Sequence, residues 1–252
     1  MRPLPPAFLD RPIAHRGLHD LTDARPENSA QAFAAAIAGG YGIELDLQLS
    51  ADGVAMVFHD YALQRLTGEQ GAVATRTAAE LGRIPLNHGG NACIPTLAEV
   101  LEMVAGQVPL LIELKDQDGA LGPNVGALET AVAHDLHNYQ GAAALMSFNP
   151  HSIIRLAKLA PQRPRGLTTC AFSAEDWQLV PPERRTELRL IADYDRADCC
   201  FVSHDHHDLS APRISALADD GAAILCWTIR SAEQEATARR IAHNVTFEGY
   251  LA

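Results

Sequence analysis

The run Gly42-Ile43-Glu44-Leu45-Asp46-Leu47 sets two carboxylates two residues apart among aliphatic side chains. Alternate side chains of a strand share a face, so Glu44 and Asp46 project together while Ile43, Leu45 and Leu47 pack on the other side. Leu111-Ile112-Glu113-Leu114-Lys115 repeats the pattern, with Glu113 and Lys115 on one face. Three acids converging inside a fold either raise one another's proton affinity or take up a divalent cation, and an all-oxygen set suits Mg2+ or Ca2+. Neutralisation by Lys115 and Arg16 as structural ion pairs is the competing reading. Two histidines weigh against it. His15-Arg16-Gly17 puts an imidazole beside a guanidinium at a predicted strand end, with Gly17 allowing a sharp exit turn, and Phe58-His59-Asp60 ends another predicted strand. A base, an acid, local positive charge and a metal are what phosphodiester cleavage requires.

The elements that must position these groups alternate along the chain. Strands are predicted at Ile13–His15, Gly42–Leu49, Val54–His59, Pro109–Leu114, Ala143–Phe148, Gly166–Cys170, Cys199–Ser203, Ala223–Ile229 and Asn244–Phe247, mostly apolar on both faces as buried parallel strands are. Helix starts are read at Asn28 with Gln31, Thr96 with Glu99 and Ser231 with Gln234, and a further helix at Ser152–Leu159. This alternation over 252 residues predicts an α/β fold, a TIM (β/α)8 barrel, with a doubly wound open sheet as the alternative. No glycine-rich phosphate loop follows the first strand, and the polar residues sit at the ends of several strands, both of which favour the barrel. Only Ser50-Ala51-Asp52-Gly53 separates Leu49 from Val54, so the second and third strands should form a hairpin, with Leu49 opposite Val54 and Glu44 opposite His59. Residues 60–95 lack periodicity and read as a short insertion over the barrel mouth within a single domain, 1–252.

The formal net charge of −11 lacks the clustered Lys and Arg that hold nucleic-acid backbones, and it disfavours docking on anionic membrane. No apolar run approaches a membrane span, and the proline-rich start, Met1 to Pro12, reads neither as a signal peptide nor as an anchor. Five cysteines without metal-type pair spacing read as reduced core thiols of a cytoplasmic chain.

The ordered set His15-Arg16-Gly17, Pro26-Glu27-Asn28, Glu44-Leu45-Asp46, His59-Asp60, Glu113-Leu114-Lys115, Ser147-Phe148-Asn149 and Trp227-Thr228-Ile229 closely resembles the glycerophosphodiester phosphodiesterase family. The resemblance implies a barrel related to that of phosphatidylinositol-specific phospholipase C, and hydrolysis of glycerophosphodiesters to glycerol 3-phosphate and an alcohol. It further implies one divalent cation, Mg2+ or Ca2+ with Mn2+ as a third candidate, on Glu44, Asp46 and Glu113. His15 and His59 match the acid–base pair, Arg16 and Lys115 the phosphate grip, and Trp227 the glycerol pocket. Glu27 matches a supporting position that orients Arg16 or touches substrate, while Asn28 is explained as a helix cap. The implied partner is a small glycerophosphodiester, with no nucleic acid and no stable membrane association. A lysophospholipase D-type or cyclising enzyme acting on lipids is the alternative, and a non-catalytic phospholigand-binding barrel a third.

The chain departs from the family near its end. Where many members close on Gly-Ile-Ile-Thr-Asp, this one reads Asn244-Val245-Thr246-Phe247-Glu248, with a Glu in the acidic place. The segment 60–95 is also short for the family. His204-Asp205-His206-His207-Asp208 looks like a metal site but reads by default as a solvated loop, with Trp177 and Tyr194 as helix-packing residues.

Overall fold

Side-chain alternation sorts this chain into an outer apolar layer and a two-ended interior. In the computed structural model, which describes residues 3–252, the strands are β1 (Ile13–Ala14), β2 (Gly42–Leu49), β3 (Ala55–Val57), β4 (Leu110–Leu114), β5 (Ala143–Ser147), β6 (Arg165–Thr169), β7 (Phe201–Asp205), β8 (Ala223–Ile229) and β9 (Asn244–Phe247). Met1 and Arg2, the first residues of the proline-rich start, lie outside the described residues. Parallel pairing runs β2-β4-β5-β6-β7-β8-β9-β1, and β1 pairs again with β2, closing the expected eight-stranded barrel. Helices fill the crossovers, among them Ala30–Gly39, Leu97–Val104, Ala127–Asp135 and Pro150–Leu159.

On β2, β1 pairs with Gly42 and Ile43 alone, which leaves the upper edge of that strand free for β3, joined antiparallel through Leu47, Gln48 and Leu49. The hairpin is as expected but its register is not: Leu49 faces Ala55, one residue beyond the predicted Val54. Ser50 explains the slip. Its hydroxyl accepts the Val54 N–H at 2.9 Å and lies 2.6 Å from Asp52, and its own N–H donates to the Val54 carbonyl, so the loop takes in Val54. A one-residue slip exchanges faces. Asp46, not Glu44, therefore receives the hairpin partner, through the Phe58 N–H at 3.0 Å, and His59 lies past the end of β3 rather than in it.

On the outside, Ile43, Leu45, Leu47, Ile112 and Leu114 pack against the helices, joined there by Phe33, Val100 and Val132. Inside, the lower end is apolar: Ile13, Leu111, Ala144, Phe201 and Leu225 meet Phe8 of the short helix Ala7–Asp10. Asn244 fastens that plug by donating to the carbonyls of Phe8 and Arg11, both at 2.7 Å. A Cβ at Gly166 would lie 2.5 Å from the Phe201 ring, so glycine makes room for the aromatic filling. The upper end of the interior carries the polar residues, as barrel enzymes place them.

The helix beginning near Asn28 is capped one residue later. Ser29 is its N-cap, the Oγ accepting the Ala32 N–H at 3.2 Å, because Asn28 is occupied elsewhere. Thr96 with Glu99 forms the expected capping box, and Ser231 caps onto Gln234. Residues 60–95 contain two short helices, Gln64–Thr67 and Ala78–Leu81, and their Leu63, Val73, Leu81 and Ile94 bury against Met56 and Phe58. Trp177 and Tyr194 are packed, but from irregular backbone and a turn rather than from helices. No helix among the described residues is long and apolar enough to cross a membrane.

Candidate active site

Parallel register sets Asp46 of β2 directly beside Glu113 of β4, and Glu44 lies on the same interior face two residues below. All three carboxylates are buried, and one oxygen from each lies within 4.8 Å of the others. Lys115, one residue past β4, reaches Asp46 at 2.7 Å and also hydrogen-bonds Glu113. Arg16 approaches Asp46 through Nε at 3.2 Å, bonds Glu27 at 2.6 Å, and donates its backbone N–H to Glu44 at 2.9 Å. Among the described residues Glu44 has no Lys or Arg ion pair, and the nearest ring nitrogen is His15 Nε2 at 4.0 Å.

Those distances divide the charge unevenly. Burial, reinforced by Asp46 and Glu113, pushes the Glu44 carboxyl well above its ordinary range. Burial opposes ionisation of Asp46 too, but Lys115 and Arg16 outweigh it and hold that carboxyl far below the usual range. Desolvation opposes the charge on the half-buried Lys115, yet Asp46 and Glu113 keep it firmly protonated. Three converging carboxylates, of which Glu44 is the least neutralised by the nearby cations, make a donor set that fits a hard divalent cation.

The two histidines flank this cluster. Immediately after β1, His15 holds its Nδ1 2.5 Å from Glu248 Oε2, which leaves Nε2 facing Glu44. Burial lowers the His15 pKa even though Glu248 acts to raise it. Glu248 also lies 3.4 Å from His19 Nε2 and 2.7 Å from Arg230. His59 mirrors the arrangement, with Nδ1 2.6 Å from Asp60. Arg65 then clamps Asp60 through Nε at 2.6 Å and reaches Glu27 at 2.8 Å, so one chain of ion pairs runs from His59 round to Arg16.

The tight backbone around Arg16 is part of the construction. Arg16 and Asn28 both have φ of 56° and Gly17 has φ of 79°, the left-handed region that Gly enters freely and other residues rarely. A Cβ at Gly17 would meet Ala32 and Phe33 at 2.9 Å, so helix Ala30–Gly39 packs directly on the turn. Asn28 is not a cap: its amide donates to Asp46 Oδ2 at 2.9 Å and its N–H to the Arg16 carbonyl at 2.9 Å.

A cavity of about 190 Å³ opens over these groups, lined by His15, Arg16, His59 and Lys115, with Phe148 and Trp227 as its aromatic wall. Trp227 donates its indole N–H to the Ser203 carbonyl at 3.0 Å and meets Phe148 edge-to-face, with centroids 5.6 Å apart. All the residues predicted from sequence are therefore brought together, with Glu27 one step behind Arg16. Glu248, Asn28, Arg65 and Phe148 are additions. Glu248 is visible in the sequence as an acid just after the closing strand, but nothing local connects it with His15. The segment His204 to Asp208 is not wholly a solvated loop: β7 runs on through His204 and Asp205, His204 is buried and bonded to Thr169 at 2.7 Å, and Asp205, His206 and His207 lie close together at its end.

Comparison with known proteins identifies the family. The sequence model of the glycerophosphoryl diester phosphodiesterase family matches residues 15–245. The glycerophosphodiester phosphodiesterase of Caldanaerobacter subterraneus is 32% identical over 177 residues, covering 67% of this chain and 70% of that protein. YhdW of Bacillus subtilis is 29% identical over 229 residues, covering 87% and 86%. Among solved structures, an Oleispira antarctica phosphodiesterase in complex with the product sn-glycerol-3-phosphate superposes with a TM-score of 0.76 at 24% identity, covering 97% of this chain and 94% of that one. The glycerophosphodiester phosphodiesterase of Thermotoga maritima gives 0.70 at 22% identity, with 94% of each chain covered. The chain belongs to the glycerophosphoryl diester phosphodiesterase family and is an enzyme of that class.

Proposed function

We propose that this enzyme hydrolyses small glycerophosphodiesters to glycerol 3-phosphate and an alcohol, using His15 and His59 as an acid–base pair beside a divalent cation on Glu44, Asp46 and Glu113. The observation that carries this reading is the convergence of two carboxylate-backed imidazoles, Arg16 and Lys115 on one cavity above those three carboxylates. Mg2+ or Ca2+, with Mn2+ as a third candidate, would supply Lewis-acid polarisation of a non-bridging phosphate oxygen.

The remaining work falls to side chains. Arg16 and Lys115 face the cavity and share the negative charge that builds on phosphorus. Each histidine has Nδ1 engaged by an acid, so Nε2 is the nitrogen that exchanges a proton with substrate. One ring deprotonates the nucleophile, water or the adjacent glycerol hydroxyl, and the other protonates the leaving alkoxide. Glu248 and Asp60 hold the rings in one orientation and stabilise the imidazolium as it forms. Trp227 packs the glycerol carbons, and Glu27 holds Arg16 in place. We take the chain as one barrel domain with 60–95 as its insertion, and its free cysteines fit a reducing, cytoplasmic setting.

A second reading, a lysophospholipase D-type or cyclising enzyme, draws on the exposed Tyr61 and Leu179, which both approach Gly119. A panel of glycerophosphodiesters and lysophosphatidylcholine, assayed with chelator and after add-back of Mg2+, Ca2+ or Mn2+, separates the two. Turnover of the small diesters, restored by cation and reduced by about 100-fold or more in His15→Ala and His59→Ala, is the expected result. Near-native turnover in either variant overturns the acid–base assignment.

A further inference from the structure

Behind His15, on the side away from the three carboxylates, a second set of metal-ligating atoms converges. His15, His19 and Glu248 each offer a ligand atom within 4.8 Å of the others, His15 Nδ1 and His19 Nε2 both face Glu248 Oε2, and each side chain keeps some exposure. His19 and Glu248 line a cleft of about 370 Å³ distinct from the active cavity, which gives an ion a route to them. Two nitrogens and one oxygen form a set unlike the all-oxygen cluster inside the barrel, and one suited to a borderline-soft ion.

We propose that His15, His19 and Glu248 form an inhibitory Zn2+ site, which stops hydrolysis by taking the Nδ1 of His15. The inference rests on the function proposed above for its effect on turnover, but not for the binding itself. Four-coordinate zinc with bonds of about 2.1 Å spaces its ligands about 3.4 Å apart. Glu248 already lies 3.4 Å from His19 Nε2, and its 2.5 Å contact with His15 Nδ1 opens by less than about 1 Å to fit. Water completes the tetrahedron from the cleft. Glu248 remains available because Arg230 bonds the other carboxylate oxygen, Oε1, at 2.7 Å. Asp20 adds negative charge to the cleft, and Arg25 opposes it there.

The chemical consequence follows from imidazole having two nitrogens. With Nδ1 bound to zinc, the neutral ring carries its proton on Nε2 and has no lone pair there to accept another. Giving that proton up would leave a metal-bound imidazolate. His15 therefore serves neither as base nor as acid, and its hydrogen bond to Glu248 is lost at the same time.

His19 makes the test clean, since it lies outside the active cavity and, among the described residues, its side chain hydrogen-bonds Glu248 alone. With the enzyme saturated by Mg2+ or Ca2+, added Zn2+ should inhibit the wild type. His19→Ala should hydrolyse normally without zinc and need roughly 10- to 100-fold more zinc for half-inhibition. Binding is read separately by titrating Co2+ into the Mg2+-loaded protein and following the visible absorption of four-coordinate Co2+. That signal should vanish in His19→Ala and Glu248→Gln and persist in Glu44→Gln. Equal zinc sensitivity in His19→Ala would mean that zinc acts by displacing the cation from Glu44, Asp46 and Glu113, and would overturn the proposal. A Co2+ signal that is absent, or that survives loss of His19, overturns it whatever the activity assay gives.

Discussion

Asn28 holds Asp46 at two points, its amide nitrogen donating to Oδ2 at 2.9 Å and its amide oxygen accepting the Asp46 backbone N–H at 3.3 Å. Both residues are buried, and Asn28 keeps its left-handed backbone to make the contacts. A carboxylate fixed in this way can present its remaining lone pairs to a cation without reorganising. Asn28→Ala should therefore lower cation affinity by about 10- to 100-fold while the barrel still folds. Calorimetric titration with Mg2+ or Ca2+ measures this, and unchanged affinity in Asn28→Ala would reduce Asn28 to a turn residue.

The uneven ionisation of the carboxylates predicts a pH-dependent response to cation. The Glu44 carboxyl is raised, so as pH climbs from its unfolded value of about 4.3 the folded state keeps a proton the unfolded chain has released, and stability from this group declines. Asp46 has the opposite sign: it stabilises above its unfolded value, and that contribution is lost only as pH falls towards its depressed folded value. A cation on the site requires Glu44 ionised and removes the repulsion among the three acids. The increase in melting temperature produced by saturating Mg2+ or Ca2+ should be larger at about pH 8 than at about pH 5. Scanning fluorimetry of wild type and Glu44→Gln checks this, and an equal rise at both pH values in wild type would contradict it.

Much of this was legible in the chain because a strand's period of two is simple to read: Glu44 with Asp46 and Glu113 with Lys115 had to share interior faces once their neighbours were aliphatic. Closure followed from alternation and length. The failures have local causes. Asn28 fits a capping signature, but Ser29 beside it fits as well, and the pull of Asp46 on Asn28 decides between them. The hairpin register turned on the Ser50 hydroxyl, which a residue count between two apolar runs does not weigh. His15 and Glu248 stand 233 residues apart, and only barrel closure makes them neighbours.

Arg65 joins the two halves of the site from outside the cavity. It bonds Asp60, which holds His59, and Glu27, which holds Arg16. Burial disfavours the Asp60 charge, but Arg65 and His59 reverse that and hold the carboxyl well below its usual range. Arg65→Ala removes the tie between the two acids, so kcat/KM should fall by roughly tenfold, and Arg65→Lys should recover only part because an ammonium lacks the planar fork that pairs bidentately with both Asp60 and Glu27. Steady-state kinetics with glycerophosphocholine measure it. Wild-type values in Arg65→Ala would show that His59 and Arg16 need no such tie.

Glu248 should matter for turnover more than for folding, since it lies on the rim with some exposure. In Glu248→Gln the amide can donate to His15 Nδ1, which fixes the proton on Nε2, and the negative charge opposite the imidazolium is gone. A loss in kcat of about 100-fold or more is expected, with Glu248→Asp recovering part of it. The pH profile gives the sharper test. Burial lowers the His15 pKa and Glu248 opposes that, so removing the carboxylate must lower it further. The limb of the kcat/KM profile that belongs to His15 then moves to lower pH, the acidic limb if His15 is the base and the alkaline limb if it is the acid. The direction of movement is the same in both cases, while the limb that moves assigns the role. A profile unchanged in Glu248→Gln would mean that the 2.5 Å contact does not govern the protonation of His15.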